Sequence, residues 1–282
     1  MTAPSLHPGV TLRAVCMGIV GCLTISAGEP ISVLVMQSSP MAADYSTGAA
    51  LFLFFVLTLA INPLTKILTG TRLSPRELAT VYIMMVVGAA IPSWGLVMNL
   101  IPLMGGFIYY ATPENDWVAL IHPYLPRSLV LDDYDAIQKL FEGVSKGEAI
   151  PWGVWLRPLF GWSLFIATLY FTTLCVLVIL RKQWVERERL AYPLMEVPQT
   201  LVADADRGLP TILRNKIFWL GAAIPLFIVC WNIAGHFFHF FPQIAWDYPI
   251  QTIHAFPSIN IRLYFPVIGF MYFANLNVSF SI

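Results

Sequence analysis

The sequence predicts an all-α integral membrane protein of about six transmembrane helices, and three observations carry that expectation. Hydrophobic residues make up 57% and charged residues 11% of the 282 positions, with a mean hydropathy of +0.70, outside the range of ordinary soluble domains. The charges gather between long uncharged runs, several of which reach the roughly 20 residues that a helix needs to cross a hydrocarbon layer about 30 Å thick. Runs such as Leu51 to Ile61 and Leu164 to Leu180 are apolar on every side, where a membrane β-barrel would alternate in segments of about ten residues.

The first span runs from Ala14 to Met36. Arg13 ahead of an apolar stretch imitates a signal peptide, but the stretch exceeds a signal core of roughly 7 to 15 residues and Glu29-Pro30 interrupts it. The second is Thr47 to Leu68. The third, Glu77 to Val97, opens on Ser74-Pro75-Arg76-Glu77, a capping box with proline at the first helical position. Capping is therefore the preferred role for Glu77. The remaining spans are Trp155 to Leu180, Ile217 to Phe238 and Tyr264 to Ile282. Ile282 ends an apolar run without a polar tail, so the chain reads as the N-terminal part of a longer protein.

Charge bias orients the spans. Arg181, Lys182, Arg187, Arg189, Arg207, Arg214 and Lys216 place the loop 181–216 in the cytoplasm, together with Arg13 and the turn holding Lys66, Arg72 and Arg76. The N-terminus is expected inside and the acid-rich loop 112–153 outside, in a bacterial inner (plasma) membrane. Asn99 to Tyr110 is too short to cross and reads as a re-entrant or interfacial piece after a broken third helix. Within the outer loop, Tyr134, Ile137, Leu140 and Phe141 recur at helical spacing, which predicts an amphipathic helix on the outer surface, near an aromatic belt of Trp117, Trp152 and Trp155.

Composition excludes several functions. Sixteen basic residues balance sixteen acidic ones, which gives no basic surface for nucleic acid. Cys16, Cys22, Cys175 and Cys230 lack metal or disulfide spacing and read as small apolar residues. Met104-Gly105-Gly106 and Gly18-Ile-Val-Gly21 lack the lysine of a phosphate loop; Gly18 and Gly21 read instead as close helix contacts. No GxSxG elbow occurs, so no enzyme and no cofactor is expected. His236 and His239 share a helical face, with His122, His254 and Asp247 on the same outer side, but no ligand box joins them, and interfacial histidines are preferred to a metal site. Asn277-Val278-Ser279 matches a glycosylation sequon inside a span and is a chance match.

Polar residues inside spans are the functional shortlist, because they are expensive there. They are Glu29, Asn62, Asn232, His236, Asn275 and Asn277, with Arg157 near a boundary as a snorkelling residue. Glu29 precedes Pro30, Asn62 precedes Pro63, and Ile91-Pro92-Ser93-Trp94-Gly95 interrupts the third span. Such broken helices expose backbone groups in transporters, so Glu29, Asn62, Ser93 and Asn232 are the candidate path for a small solute or a coupling ion. Packing is the competing role for the asparagines, which serve widely as glue between helices. For Glu29 three states remain open: protonated, paired with another span, or facing a water cavity.

Arg181 to Pro198 (RKQWVERERLAYPLMEVP), with Leu73 to Tyr82 and Val87 to Ser93, resembles a family of uncharacterised bacterial polytopic membrane proteins that is itself similar to the oligopeptide transporter superfamily. Leu190-Ala191-Tyr192-Pro193 matches that superfamily's aromatic-proline turn, while Leu194-Met195-Glu196-Val197 stands where Ser-Gly-Thr-Ala usually follows. The resemblance implies secondary, cation-coupled uptake of peptides or metal chelates without ATP, in proteins about twice this length. By its own chemistry the segment reads as an amphipathic connector at the membrane surface. The expected function is thus a secondary transporter, with the bilayer as its environment and a homo-oligomer or partner chains as further associations. The alternative is a non-catalytic structural or accessory subunit of a membrane complex.

Overall fold

A computed structural model describes residues 10–36, 41–42, 48–189, 195–203 and 211–238, together with 240, 242, 244–245, 247–250, 259–262, 265 and 268. The helices are α1 (Leu12–Pro30), α2 (Gly48–Val56), α3 (Asn62–Thr69), α4 (Pro75–Ala89), α5 (Val97–Tyr109), α6 (Trp117–Leu120), α7 (Tyr134–Glu142), α8 (Trp152–Arg181), α9 (Glu196–Ala203) and α10 (Lys216–Phe237). Among the described residues, four helical stretches are long and apolar enough to cross a membrane: Leu12–Val35, Gly48–Ile67, Trp152–Arg187 and Lys216–Gly235. These correspond to the expected first, second, fourth and fifth spans. The sixth, Tyr264 to Ile282, lies outside the described residues.

The third expected span is not one helix. α4 stops at Ala89, and the chain turns through 90–96 before α5 begins. Pro92 explains the stop, since its ring disfavours helix in the preceding residue and its missing amide cannot continue the ladder. Two further interruptions take a different form. α1 passes into a π-helical turn, Ile31–Val35, directly after Glu29-Pro30, and a second π turn, Leu57–Ile61, directly precedes Asn62-Pro63. In both places a wider turn absorbs the register that proline disturbs; after Leu57–Ile61 the helix continues as α3, whereas Ile31–Val35 is the last turn of its helical stretch and leads into a bend at Met36.

Residue contacts divide the chain into two units: 1–24, 48–86 and 191–282 in one, 25–47 and 87–190 in the other. In the first, Phe54 is fully buried with its ring 4.8 Å from that of Tyr82. Gly18 and Gly21 let α1 approach α4 closely: a Cβ at either position would stand 2.5 to 2.6 Å from the sulfur of Met84 or Met85. This is the close helix contact expected of small residues in a membrane. At the start of α4 the capping box forms. Ser74 N donates to Glu77 Oε2 (2.8 Å) and Glu77 N donates to Ser74 Oγ (3.3 Å), while Thr11 Oγ1 donates to Glu77 Oε1 (2.5 Å). Arg13 bonds to Thr71 Oγ1 and to the Arg72 carbonyl, so the first basic residue sits on the basic turn that the charge pattern grouped with it.

α9 departs from the expectation of a plain surface connector. Pro198 and Leu201 are buried, α9 contacts α2, and it shares a groove with Ala79, Tyr82 and Ile83 of α4. The aromatic-proline turn at 190–193 lies outside the described residues. Near the C-terminal end of the same unit, β1 (Asp247–Ile250) pairs antiparallel with β2 (Ile259–Arg262), Asp247 opposite Arg262. This short ladder adds to a helical architecture in a stretch where the apolar pattern had indicated no element.

In the second unit a core of Leu100, Met104, Leu131 and Ile137 gathers α5, α7 and α8. The amphipathic helix forms where predicted, capped by Asp133 Oδ1, which accepts from Ala136 N at 3.1 Å. Its apolar face, however, is spent on protein. Ile137 is fully buried and lies against Gly105, where a Cβ would meet it at 3.3 Å, whereas Tyr134 from the predicted stripe is exposed. The peptide at 128–131 is held between two helices: Leu131 N donates to Met104 O (3.0 Å), Trp162 Nε1 donates to Leu129 O (2.8 Å), and Gly161 leaves room for the Ser128 carbonyl.

Candidate functional site

Glu29 stands in the last turn of α1 and is 1% exposed. Its Oε2 accepts two main-chain hydrogen bonds, from Met41 N and Ala42 N, both at 2.7 Å. Its Oε1 is buried with no hydrogen-bond partner. Such an oxygen is costly to leave bare in an apolar setting, and it offers lone pairs for a proton or a cation. The carboxylate therefore has two faces: one ties the chain beyond the π turn back to the helix, and the other is unused by the fold.

Asn62 is equally buried, but its side chain has an assignment. Oδ1 accepts from Leu73 N at 2.7 Å, which closes the α3–α4 turn after Gly70, a residue in the left-handed region with φ of +75°. Asn232 is likewise engaged in structure: Nδ2 donates to Ile244 O (3.0 Å) and Oδ1 accepts from Ile244 N (2.8 Å), so the amide pairs with residue 244 as a neighbouring strand would. Both amides bond main-chain groups 11 or 12 residues further along the chain. For His236 the backbone alone is described; His239, His254, Asn275 and Asn277 lie outside the described residues.

Ser93 is buried in the break between α4 and α5, and its hydroxyl donates to Ala90 O at 2.8 Å. The break satisfies much of its own backbone. Ile91 N donates to Gly88 O, Leu96 N and Met98 N donate to Ser93 O, and Val97 N donates to Ile91 O. Asn99 Nδ2 donates to Trp94 O. Beside the break lies an open groove of about 370 Å³, walled by Ala90, Ser93, Gly95 and Leu96 on one side and by Ile166, Leu169, Tyr170 and Thr173 of α8 on the other. Tyr170 and Thr173 were missed by sequence reasoning. Their signal was present, since a tyrosine and a threonine deep in an apolar run stand out from the interfacial positions that tyrosine prefers.

Glu29 and Ser93 belong to one unit and Asn62 and Asn232 to the other, and no hydrogen bond joins any two of the four. Among the described residues no cluster of three or more His, Cys, Asp or Glu side chains is placed to hold a metal ion. His122 faces the Phe107 carbonyl at 2.9 Å, a local tie between the loop 112–153 and α5. Arg157 approaches Asp132 at 3.7 Å with both side chains exposed, which fits a boundary residue.

No curated protein and no solved structure matches the chain. A family model does, over residues 4–282: the chain with this buried carboxylate and broken third helix belongs to the family described as "Family of unknown function (DUF6785)".

Proposed function

We propose that this membrane protein is a secondary transporter, or the N-terminal half of one, in which Glu29 carries the coupling proton or cation. The observation that supports it is the pairing of a satisfied and an unsatisfied oxygen on one buried carboxylate, beside a helix interruption. A purely structural acid would gain by engaging both oxygens; a carrier needs one of them unoccupied by the fold. Ser93 lines the solute path, while Asn62 and Asn232 hold turns within the other unit. On this proposal six spans lie in a bacterial inner membrane with the N-terminus in the cytoplasm, and peptides or metal chelates are the first substrates to test.

Glu29→Gln keeps an oxygen that accepts from Met41 and Ala42 but removes the exchangeable charge. In proteoliposomes on a solid-supported membrane, a panel of di- and tripeptides and ferric chelates should evoke currents from the native protein. The variant, inserted in equal amount, should give none. Currents of native size from Glu29→Gln would end the proposal.

The rival proposal is an accessory subunit. The four-turn-plus flanks of α8 and α10 bury none of their most apolar windows within the fold, leaving surface for partner chains or a second copy as well as for lipid. Intact-mass measurement of the complex extracted from native membranes separates the two, because fixed stoichiometric partners favour the subunit.

A further inference from the structure

We infer that the groove between the broken third helix and α8 binds an uncharged solute, oriented by a hydrogen bond from the Tyr170 hydroxyl. The inference rests on the transporter proposed above for the solute's passage and narrows its substrates to molecules without ionised groups, such as peptides with blocked termini or neutral chelates. The wall residues Ala90, Ser93, Leu96, Ile166, Leu169 and Thr173 carry no formal charge. An ionised ligand would leave water without a counter-charge.

Much of the backbone of the break is likewise already engaged. A bare cation needs several free carbonyls, yet those of Gly88, Ala90, Ile91, Ser93 and Trp94 already accept internal hydrogen bonds. An anion needs free amides, yet those of Leu96, Val97 and Met98 are already donated. The hydroxyl protons of Ser93 and Thr173 are committed to Ala90 O and Leu169 O. Among the described residues, the Tyr170 hydroxyl has no hydrogen-bond partner. By helical rise it lies about 27 Å along α8 from Trp152 and about 16 Å from Arg181, far from the headgroup level where tyrosine hydroxyls meet water. A partly buried donor at that depth calls for an acceptor such as a carbonyl or ether oxygen on an otherwise apolar ligand. A groove of about 370 Å³ falls at the small end of ligand sites.

The test uses three benzophenone photoprobes with one common core, ending in a primary amide, a carboxylate or a quaternary ammonium, applied to the full chain in nanodiscs. Peptide mapping should find the amide probe on 90–96 and 166–173 at least about tenfold above either charged probe, the equivalent of about 1.4 kcal/mol in binding. Tyr170→Phe should cut that labelling several-fold with the fold intact, and Thr173→Trp should abolish it by filling the groove. Equal or stronger labelling by a charged probe, no labelling of these peptides, or insensitivity to Tyr170→Phe would overturn the inference. So would displacement by added phospholipid, which would mark the groove as a lipid seat. Labelling is read without transport, so a failure of coupling at Glu29 would show separately as native currents in Glu29→Gln.

Discussion

At the scale of single residues, the polar side chains buried in this protein divide by how many of their atoms the fold uses. Asn62 spends its Oδ1 on a chain turn, the half-buried Asn232 spends its whole amide on residue 244, Glu77 spends one oxygen on the start of α4 and the other on Thr11, and Glu29 spends one of two. Removing a spent atom should damage stability. Asn62→Leu leaves the Leu73 amide without an acceptor in a buried turn and should lower stability by about 1 to 3 kcal/mol, read as a drop in the thermal midpoint in detergent. Ser74→Ala should take about 1 kcal/mol by the loss of a helix cap. Glu29→Gln, which preserves the two amide contacts, should shift the midpoint least of the three; a loss larger than that of Asn62→Leu would mark Glu29 as a structural clamp. The sequence identified all these residues but not which atoms were committed, because commitment depends on partners 11 to 13 positions away along the chain or as distant as Thr11 from Glu77.

At the scale of elements, local chemistry was legible and pairing was not. The capping box, the Asp133 cap and the break at Pro92 follow from three or four neighbouring residues, and each appears in place. The partner of α7 does not follow from its own stripe: an apolar face predicts burial and leaves lipid and protein equally eligible, and here Gly105 decides by admitting Ile137 to α5. Gly161 is the more demanding contact. A Cβ there would stand 2.7 Å from the Ser128 carbonyl, a backbone atom that cannot swing aside. Gly161→Leu should therefore detach the 128–131 peptide from α8 and free the Trp162 indole from Leu129, visible as a red shift and increased quenching of tryptophan fluorescence; an unchanged spectrum would sink this assignment. Lys139, raised above its ordinary lysine pKa first by its hydrogen bond to Asp135 and then by that to Glu148, ties α7 to the following loop. For a cation with a raised folded-state pKa, the contribution is complete below the unfolded value, about 10.4, and fades as pH rises through the folded one. The difference in thermal midpoint between native protein and Lys139→Met should hold through neutral pH and close only in strong alkali.

At the scale of the whole molecule, four stretches satisfy the length and apolarity of a membrane span among the described residues, and the family match runs from residue 4 to 282. Composition carried the membrane class because it is a sum over the chain and insensitive to any one contact. Orientation remains a matter of charge bias. In a chain whose native cysteines, Cys16, Cys22, Cys175 and Cys230, are replaced by serine or alanine, a cysteine at Lys146 should react with an impermeant maleimide added outside intact cells, and one at Arg187 only after permeabilisation. The opposite pattern would invert the topology.

The π turns beside Glu29 and Asn62, with a third at Lys182–Arg187 at the end of α8, have a consequence for how this chain tolerates change in length. Each is an α-helix carrying one residue too many, with Met36 N reaching back five positions to Ile31 O instead of four. Deleting one exposed residue of the second turn, Ile61, would let that turn relax to the ordinary ladder without rotating α2 against α3, whereas a deletion in an uninterrupted helix turns everything beyond it by about 100°. Within the described helical stretches, single-codon loss is thus cheapest at the π turns, two of which border Glu29 and Asn62, and a deletion scan of those stretches should show its shallowest dips at 31–35, 57–61 and 182–187.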